Sequence, residues 1–314
     1  MGIAGYLRII GRGARGARAL DRAQARDLMT QLLSGALTDL EVGAFALAMR
    51  IKGEADEELD GFFDAVQPHN RPVEATRPVL LLPSYNGARR LPNLTPLLAC
   101  LLAREGTPVL VHGTAGDPAR VGSAAIFAAL GQAPARDAAD AARAWSRGEP
   151  AFLPIEALNP PLARLLDVRR VVGLRNPGHT LAKLIDPVRG APALRVINTT
   201  HRAYAESLAG FVQRRRANAL RLRGTEGEPH ADPRRCPSMD VFLAGERRHD
   251  LSIPAQEGSL SELPALAAGL DAAATAQTVR AMLDGALPVP APIARQAAAL
   301  RAALGGCSGA ASPL

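Results

Sequence analysis

PVLLLPSYNGARRLPNLTPLLACLLAREGTPVLVHGTAGDPARVGSAAIFAALG, running from Pro78 to Gly131, alternates short apolar runs with longer helical ones. Val79 to Leu82 reads as a buried strand, Pro83 to Arg90 as a polar turn and Thr95 to Glu105 as a helix. Pro108 to His112 reads as a second strand, followed by another polar loop and another helix. Strand, helix, strand is the βαβ unit, so the pattern predicts an α/β domain with a mostly parallel central sheet. In such a sheet ligands bind at the carboxyl ends of the strands, where both polar loops fall.

The first of these loops, Ser84-Tyr85-Asn86-Gly87-Ala88-Arg89-Arg90, leads into a helix, and free backbone N–H groups near a helix start favour anions. Arg89 and Arg90 add fixed positive charge and bidentate phosphate donors. The loop is therefore a candidate for facing phosphate, with an ordinary βα turn carrying solvated arginines as the competing reading. At the end of the second strand stands His112, followed by Gly113.

Before this stretch the chain reads as helical. Residues 3 to 10 suggest a short helix. Gly11 to Arg18 holds three glycines among Arg12, Arg15 and Arg18, a composition that predicts a basic loop able to meet a phosphate backbone. Asp21 is a plausible N-cap for a helix through Leu28, Leu32 and Leu33 that stops at Gly35. Thr38 and Glu41 form a capping box for a second helix, and Leu59, Phe62, Phe63 and Val66 mark the inner face of a third. Residues 1–77 thus read as a small all-helical domain, joined by a linker over 68–78 to the α/β domain over 78–314.

After the stretch, Arg169-Arg170 precede a strand-like Val171-Val172. Gly173 to His179 reads as a turn into a helix from Thr180 to Ile185. Ala203 to Arg216 reads as a helix ending in three arginines, and Ala219 to Gly224 alternates as a strand does. Glu226 and Glu228 then read as solvated loop acids rather than as a cation site.

The 314-residue chain carries 37 Lys and Arg against 30 Asp and Glu, a formal charge of +7, and nearly all of its basic residues are arginine. That excess points toward polyanionic partners. Cys100, Cys236 and Cys307 are odd in number and far apart, which argues for a reducing compartment and against a disulfide framework or a thiolate zinc site. No apolar run approaches the roughly 20 residues of a membrane helix and no signal peptide is visible, so a cytoplasmic protein without membrane attachment is expected. The sequence also lacks a Gly-x-Ser-x-Gly elbow, a Walker loop and a zinc-type His-x-x-x-His spacing.

LTDLEVGAFALAMRIKGEADEELDGFFDAV, with NLTPLLACLLAREGTPVLVHG and GLRNPGHTLAKLIDP downstream, resembles the anthranilate phosphoribosyltransferase and nucleoside phosphorylase family. The resemblance implies a helical domain, completed by a helical return segment near 173–190, and a phosphoribosyltransferase-like α/β domain. It also implies a pyrophosphate-binding glycine loop, where this chain instead has Ser84 to Arg90 with Gly87 as its single glycine. Val111 stands in place of the family's lysine before His112-Gly113, and Glu226 and Glu228 in place of its adjacent magnesium-binding acids.

SYNGAR, NLTPLLA, HTLAKL and GTEGE together are similar to a divergent YbiB-type DNA-binding branch of that family. This resemblance implies a homodimer joined through the helical domains that binds single- or double-stranded DNA or RNA with little sequence preference, without cofactor, metal or catalytic residue. Arg12, Arg15, Arg18, Tyr85, Asn86, Arg89, Arg90, Arg175 and Lys183 are the expected nucleic-acid contacts, Tyr85 as a stacking platform for one base. Ser84, Gly87, His112, Gly113, His179, Glu226 and Glu228 are the expected remnants of a degenerate ligand cleft. The alternative is a phosphoribosyltransferase or phosphorylase-type glycosyltransferase with an unknown acceptor.

Overall fold

The computed structural model describes residues 2–116, 119–199, 202–258, 264, 266 and 269–307. The chain divides into two compact units, Met1–Arg71 with Ile155–Pro187, and Pro72–Pro154 with Val188–Pro313.

The first unit is helical. The helix Arg22–Ser34 is opened by Asp21, whose carboxylate accepts from the Gln24 N–H at 2.8 Å while the Gln24 side chain accepts from Asp21 N–H at 3.2 Å; Gly35 closes it in the left-handed conformation. Thr38 and Glu41 cap the helix Asp39–Lys52 in the same reciprocal way. That helix packs Phe45 edge to face on Phe62 of the helix Asp56–Val66, ring centroids 6.0 Å apart. Glu58 is fully buried in this unit, where it accepts from the N–H groups of Leu20 and Ala55 and from the Lys52 ammonium. Three donors offset the cost of burying a carboxylate.

Residues that return to the helical unit begin at Ile155, earlier than the segment near 173 suggested by sequence, and the unit gives way to the sheet unit at Pro72 rather than at 78. Val171-Val172 is not strand-like: it lies in the last turn of the helix Pro160–Val172. Asn159 caps that helix by accepting from Leu162 N–H at 3.1 Å, Pro160 suits its first turn, and Gly173 ends it at a φ of 75°. The caps outweigh the local β preference of two valines. Gly13–Gly16 forms one helical turn where the glycine content predicts a loop.

In the second unit, β1 (Val73–Glu74), β2 (Val79–Ser84), β3 (Val109–Gly113), β4 (Ala151–Pro154), β5 (Val188–Arg189), β6 (Ala193–Thr199), β7 (Asn218–Arg223), β8 (Met239–Leu243) and β9 (Glu246–Ile253) follow in order. Among the described residues they form a small β1-β5 pair and a seven-stranded sheet of order β4-β3-β2-β6-β7-β8-β9. The five strands from β4 to β7 run parallel, and β8 and β9 are added antiparallel. β2 and β3 are buried along their whole length and read as unbroken apolar runs, as central parallel strands do. Helices Thr95–Arg104, Ala272–Leu283 and Ala291–Gly305 supply Leu97, Leu98, Val279, Ile293 and Leu300 to the core that covers the sheet.

Candidate functional site at the carboxyl ends of the strands

β2 ends at Ser84 beside the end of β3 at Gly113, so closely that a Cβ on Gly113 would lie 1.8 Å from the Ser84 carbonyl oxygen. Only glycine fits there. From this point the chain turns through Tyr85 to Leu91. Against that turn lies the loop after β7, Gly224 to His230, held by the Asn198 amide of β6 on the Gly227 carbonyl and by Gln296, whose Nε2 donates to the Pro229 carbonyl at 2.8 Å.

The carboxylate of Glu228 is fully buried at the centre of this arrangement. Its Oε1 accepts from the backbone N–H groups of Asn86 at 2.8 Å and Gly87 at 2.9 Å. Its Oε2 accepts from the Ser84 and Thr95 hydroxyls and the Asn93 amide, the last two at 3.3 and 3.4 Å. Ser123 completes the cluster, 2.7 Å from Ser84 Oγ and 3.1 Å from Asn93 Nδ2. Such a set of donors would suit a phosphate, and here they converge on an amino-acid side chain.

Glu226 holds the next part of the turn. It accepts from Arg89 N–H at 3.1 Å, Arg90 N–H at 2.8 Å and Leu91 N–H at 2.9 Å. Burial works to raise its pKa, but the three N–H donors and the nearby Arg120 guanidinium bring it below the ordinary carboxylate value. Its own backbone sits in the left-handed region at a φ of 50°. Both glutamates are therefore structural rather than the solvated loop acids expected from sequence, because the fold brings their loop onto a segment 133 to 144 residues earlier in the chain.

Two further expectations change. Tyr85 offers no platform for a base: it is 6% exposed, with its hydroxyl 2.8 Å from His112 Nδ1. The hydroxyl finds its partner inside the domain, as buried tyrosines generally do. Asn86 is no surface contact either, being buried with its amide donating to the Glu226 carbonyl at 3.1 Å. His112 is enclosed, and burial together with the Arg195 charge pushes its pKa down to about 3, so its imidazole is neutral.

His230 is buried as well. Its Nε2 accepts from Leu94 N–H at 3.2 Å and its Nδ1 lies 3.0 Å from the Ala231 carbonyl, an arrangement that requires the neutral ring. Burial holds its pKa down accordingly.

Arg89 and Arg90 are exposed on the outer side of the turn and enter no ion pair among the described residues. Arg120 donates to the Gly87 carbonyl at 3.2 Å, and Arg223 is exposed at the carboxyl end of β7. The sequence reading missed both, since neither lies in a motif. Arg223 ends β7 and Arg120 lies in the loop after β3 beside the Ala88–Val121 bridge, and these placements are the signal that finds them.

The remaining candidates belong to the helical unit. Arg12, Arg15 and Arg18 are exposed there. Arg175 and Lys183 are half-buried around His179, whose Nδ1 accepts from Asn176 N–H at 3.3 Å. Burial, then the charge of Arg175, pushes the His179 pKa down to about 3.

Among the described residues no helix is long and apolar enough to cross a membrane. Residues 6–69 match the family model of the helical bundle domain of a glycosyl transferase family. The chain is 40% identical over 301 residues to the uncharacterized protein YbiB of Escherichia coli, covering 94% of this chain and 92% of that one. It is 30% identical to the anthranilate phosphoribosyltransferase of Methanopyrus kandleri over 87% of this chain and 82% of that one. The crystal structure of anthranilate phosphoribosyltransferase from Thermus thermophilus superposes with a TM-score of 0.70 at 23% identity, covering 92% and 87% of the two chains.

Proposed function

The chain belongs to the anthranilate phosphoribosyltransferase-like glycosyl transferase family, and within that family we propose that it serves as a nucleic-acid-binding protein rather than as a transferase. The observation that carries this reading is the Glu228 carboxylate, which takes the Asn86 and Gly87 N–H groups together with Ser84, Asn93 and Thr95. A pyrophosphate brought to that turn would meet a buried carboxyl group already on its donors. The donors that a phosphoribosyl substrate would need are already used.

Outside the filled turn the same strand ends carry Arg89, Arg90, Arg120 and Arg223. Arginines on a surface with a closed small-molecule pocket suit a polymer of phosphates, met by charge and without base readout. Arg12, Arg15 and Arg18 would add phosphate contacts from the helical unit, and Arg175 and Lys183 further ones.

The proposal includes a homodimer. Leu40, Leu47 and Ile51 lie seven and eleven residues along one stripe of the helix Asp39–Lys52 and are 83%, 47% and 57% exposed, with the small Gly43 and Ala44 between them. An apolar stripe left uncovered on a helical bundle suits a second copy of the same helix.

Fluorescence anisotropy of unrelated single- and double-stranded oligonucleotides, titrated across a salt series, tests the reading. Sequence-indifferent, salt-sensitive binding is expected, together with no magnesium-dependent binding of phosphoribosyl pyrophosphate. Saturable, magnesium-dependent binding of that compound would instead favour a transferase with an unknown acceptor.

A further inference from the structure

The two glutamates of the loop after β7 are held differently. Glu228 is fully buried and takes side-chain donors as well as the Asn86 and Gly87 N–H groups, whereas Glu226 is only partly buried and is held by the N–H groups of three successive residues. Three consecutive N–H groups, those of Arg89, Arg90 and Leu91, point at one carboxylate. Glu226 is half-buried there, and the Arg89 and Arg90 side chains are exposed. The Arg120 guanidinium adds its charge to the same spot. Successive N–H groups that converge in this way bind an oxyanion whether it belongs to the chain or arrives from outside.

We propose that the backbone N–H groups of Arg89, Arg90 and Leu91 form a phosphate site of their own, which Glu226 occupies as an exchangeable internal ligand. A phosphate group replaces the carboxylate without changing the number of hydrogen bonds the cradle makes. A phosphodiester, with one negative charge, also matches the charge of the carboxylate it displaces from the cradle. Glu226 stands on a left-handed backbone that strains any residue but glycine, so release of its side chain also allows that strain to relax. The site is separate from the Asn86 and Gly87 donors, which Glu228 retains throughout. That the arriving phosphate belongs to a nucleic acid rests on the function proposed above; the existence of the cradle does not.

The experiment compares the full-length wild type with Glu226→Gly, Glu226→Gln and Glu246→Gln. Glycine removes the carboxylate and accepts the backbone conformation. Glutamine keeps the shape without the charge, and Glu246 is an exposed acid on β9 that controls for net charge. Each protein is titrated with inorganic pyrophosphate by calorimetry and with single-stranded oligothymidine by anisotropy, after a circular dichroism check of folding.

Because an occupied cradle reduces apparent affinity by the fraction of time it is open, Glu226→Gly should bind pyrophosphate about tenfold more tightly than wild type. Glu226→Gln should fall between the two, and Glu246→Gln should match wild type. A parallel gain for oligothymidine would assign the polymer to the same cradle. A gain for pyrophosphate with no oligothymidine binding by any form would uphold the cradle and overturn the nucleic-acid reading. If neither Glu226 variant binds pyrophosphate more tightly than wild type, or if Glu246→Gln gains as much, the proposal fails; should the glycine variant not fold, the glutamine variant alone decides.

Discussion

Glu228 and Gly87 are 141 residues apart in sequence and meet at 2.9 Å, carboxylate oxygen to backbone N–H. This contact ties the turn after β2 to the loop after β7, and with the Asn86 N–H it completes the hydrogen bonding of Glu228 Oε1.

Removal of that carboxylate leaves several buried donors without a partner. Glu228→Ala should cost about 3 kcal/mol of unfolding free energy, the penalty typical of orphaned buried polar groups. Glu228→Gln should cost less, since it keeps one acceptor oxygen but presents an amide to donors already facing it. Urea unfolding followed by circular dichroism measures both, and a Glu228→Ala variant as stable as wild type would contradict a structural role.

Gly227 tests the same contact from its other side. A Cβ there would fall 1.5 Å from Asn86 Nδ2, on a backbone with a φ of 87°. Gly227→Ala should therefore destabilise by roughly 3 kcal/mol, combining left-handed strain with displacement of Asn86. Gly116→Ala, where a Cβ would meet nothing within 4 Å, should be close to neutral under the same denaturation assay.

If phosphates are met by exposed arginines, the double variant Arg89→Ala/Arg90→Ala should weaken oligonucleotide binding equally for unrelated sequences. It should also reduce the slope of log affinity against log salt by about 2. A loss confined to one sequence would point to base readout instead. Both side chains are exposed, so the melting temperature should hardly change.

Dimer formation through the helix Asp39–Lys52 predicts that Leu47→Glu shifts the chain to monomer in sedimentation velocity. A charge in the middle of a covered apolar stripe is strongly unfavourable. An unchanged sedimentation coefficient would place any dimer contact elsewhere. Glu57→Gln, at an exposed position of the next helix, serves as the control.

The buried histidines predict acid sensitivity. His112 is held down at about 3, by burial first and Arg195 second, while in the unfolded chain it titrates near the ordinary value of roughly 6.5. Between those values the unfolded chain takes up a proton that the folded chain refuses. Stability therefore falls as pH drops from about 6.5 toward 3, by roughly 1.4 kcal/mol per pH unit from this residue. His230 contributes in the same direction, and Glu226, with its pKa lowered, adds stability that is lost as pH falls through its folded value. His112→Asn should be less stable near neutrality yet show a shallower loss in acid; equal slopes would mean that His112 is not the neutral buried group described.

Local chemistry alone specified the helices that begin at Arg22 and Asp39, because a capping box is written within four residues, and it specified β2 and β3, because central parallel strands are continuous apolar runs. The motifs around these elements were enough to identify the family. Val171 and Val172 were misread because Asn159, Pro160 and Gly173, which set the helix between them, lie at its two ends rather than beside the valines. Tyr85, Asn86, Glu226 and Glu228 all looked like surface residues because polarity and loop position are local properties. Tyr85 finds its partner in His112 on the neighbouring strand, and the partners of the other three depend on two loops meeting at the strand ends of one sheet, across more than 130 residues of chain. A carboxylate's partners are set by what lies within about 3 Å of it in space, and only the tertiary structure brings the N–H groups of one loop within that distance of the acids of another.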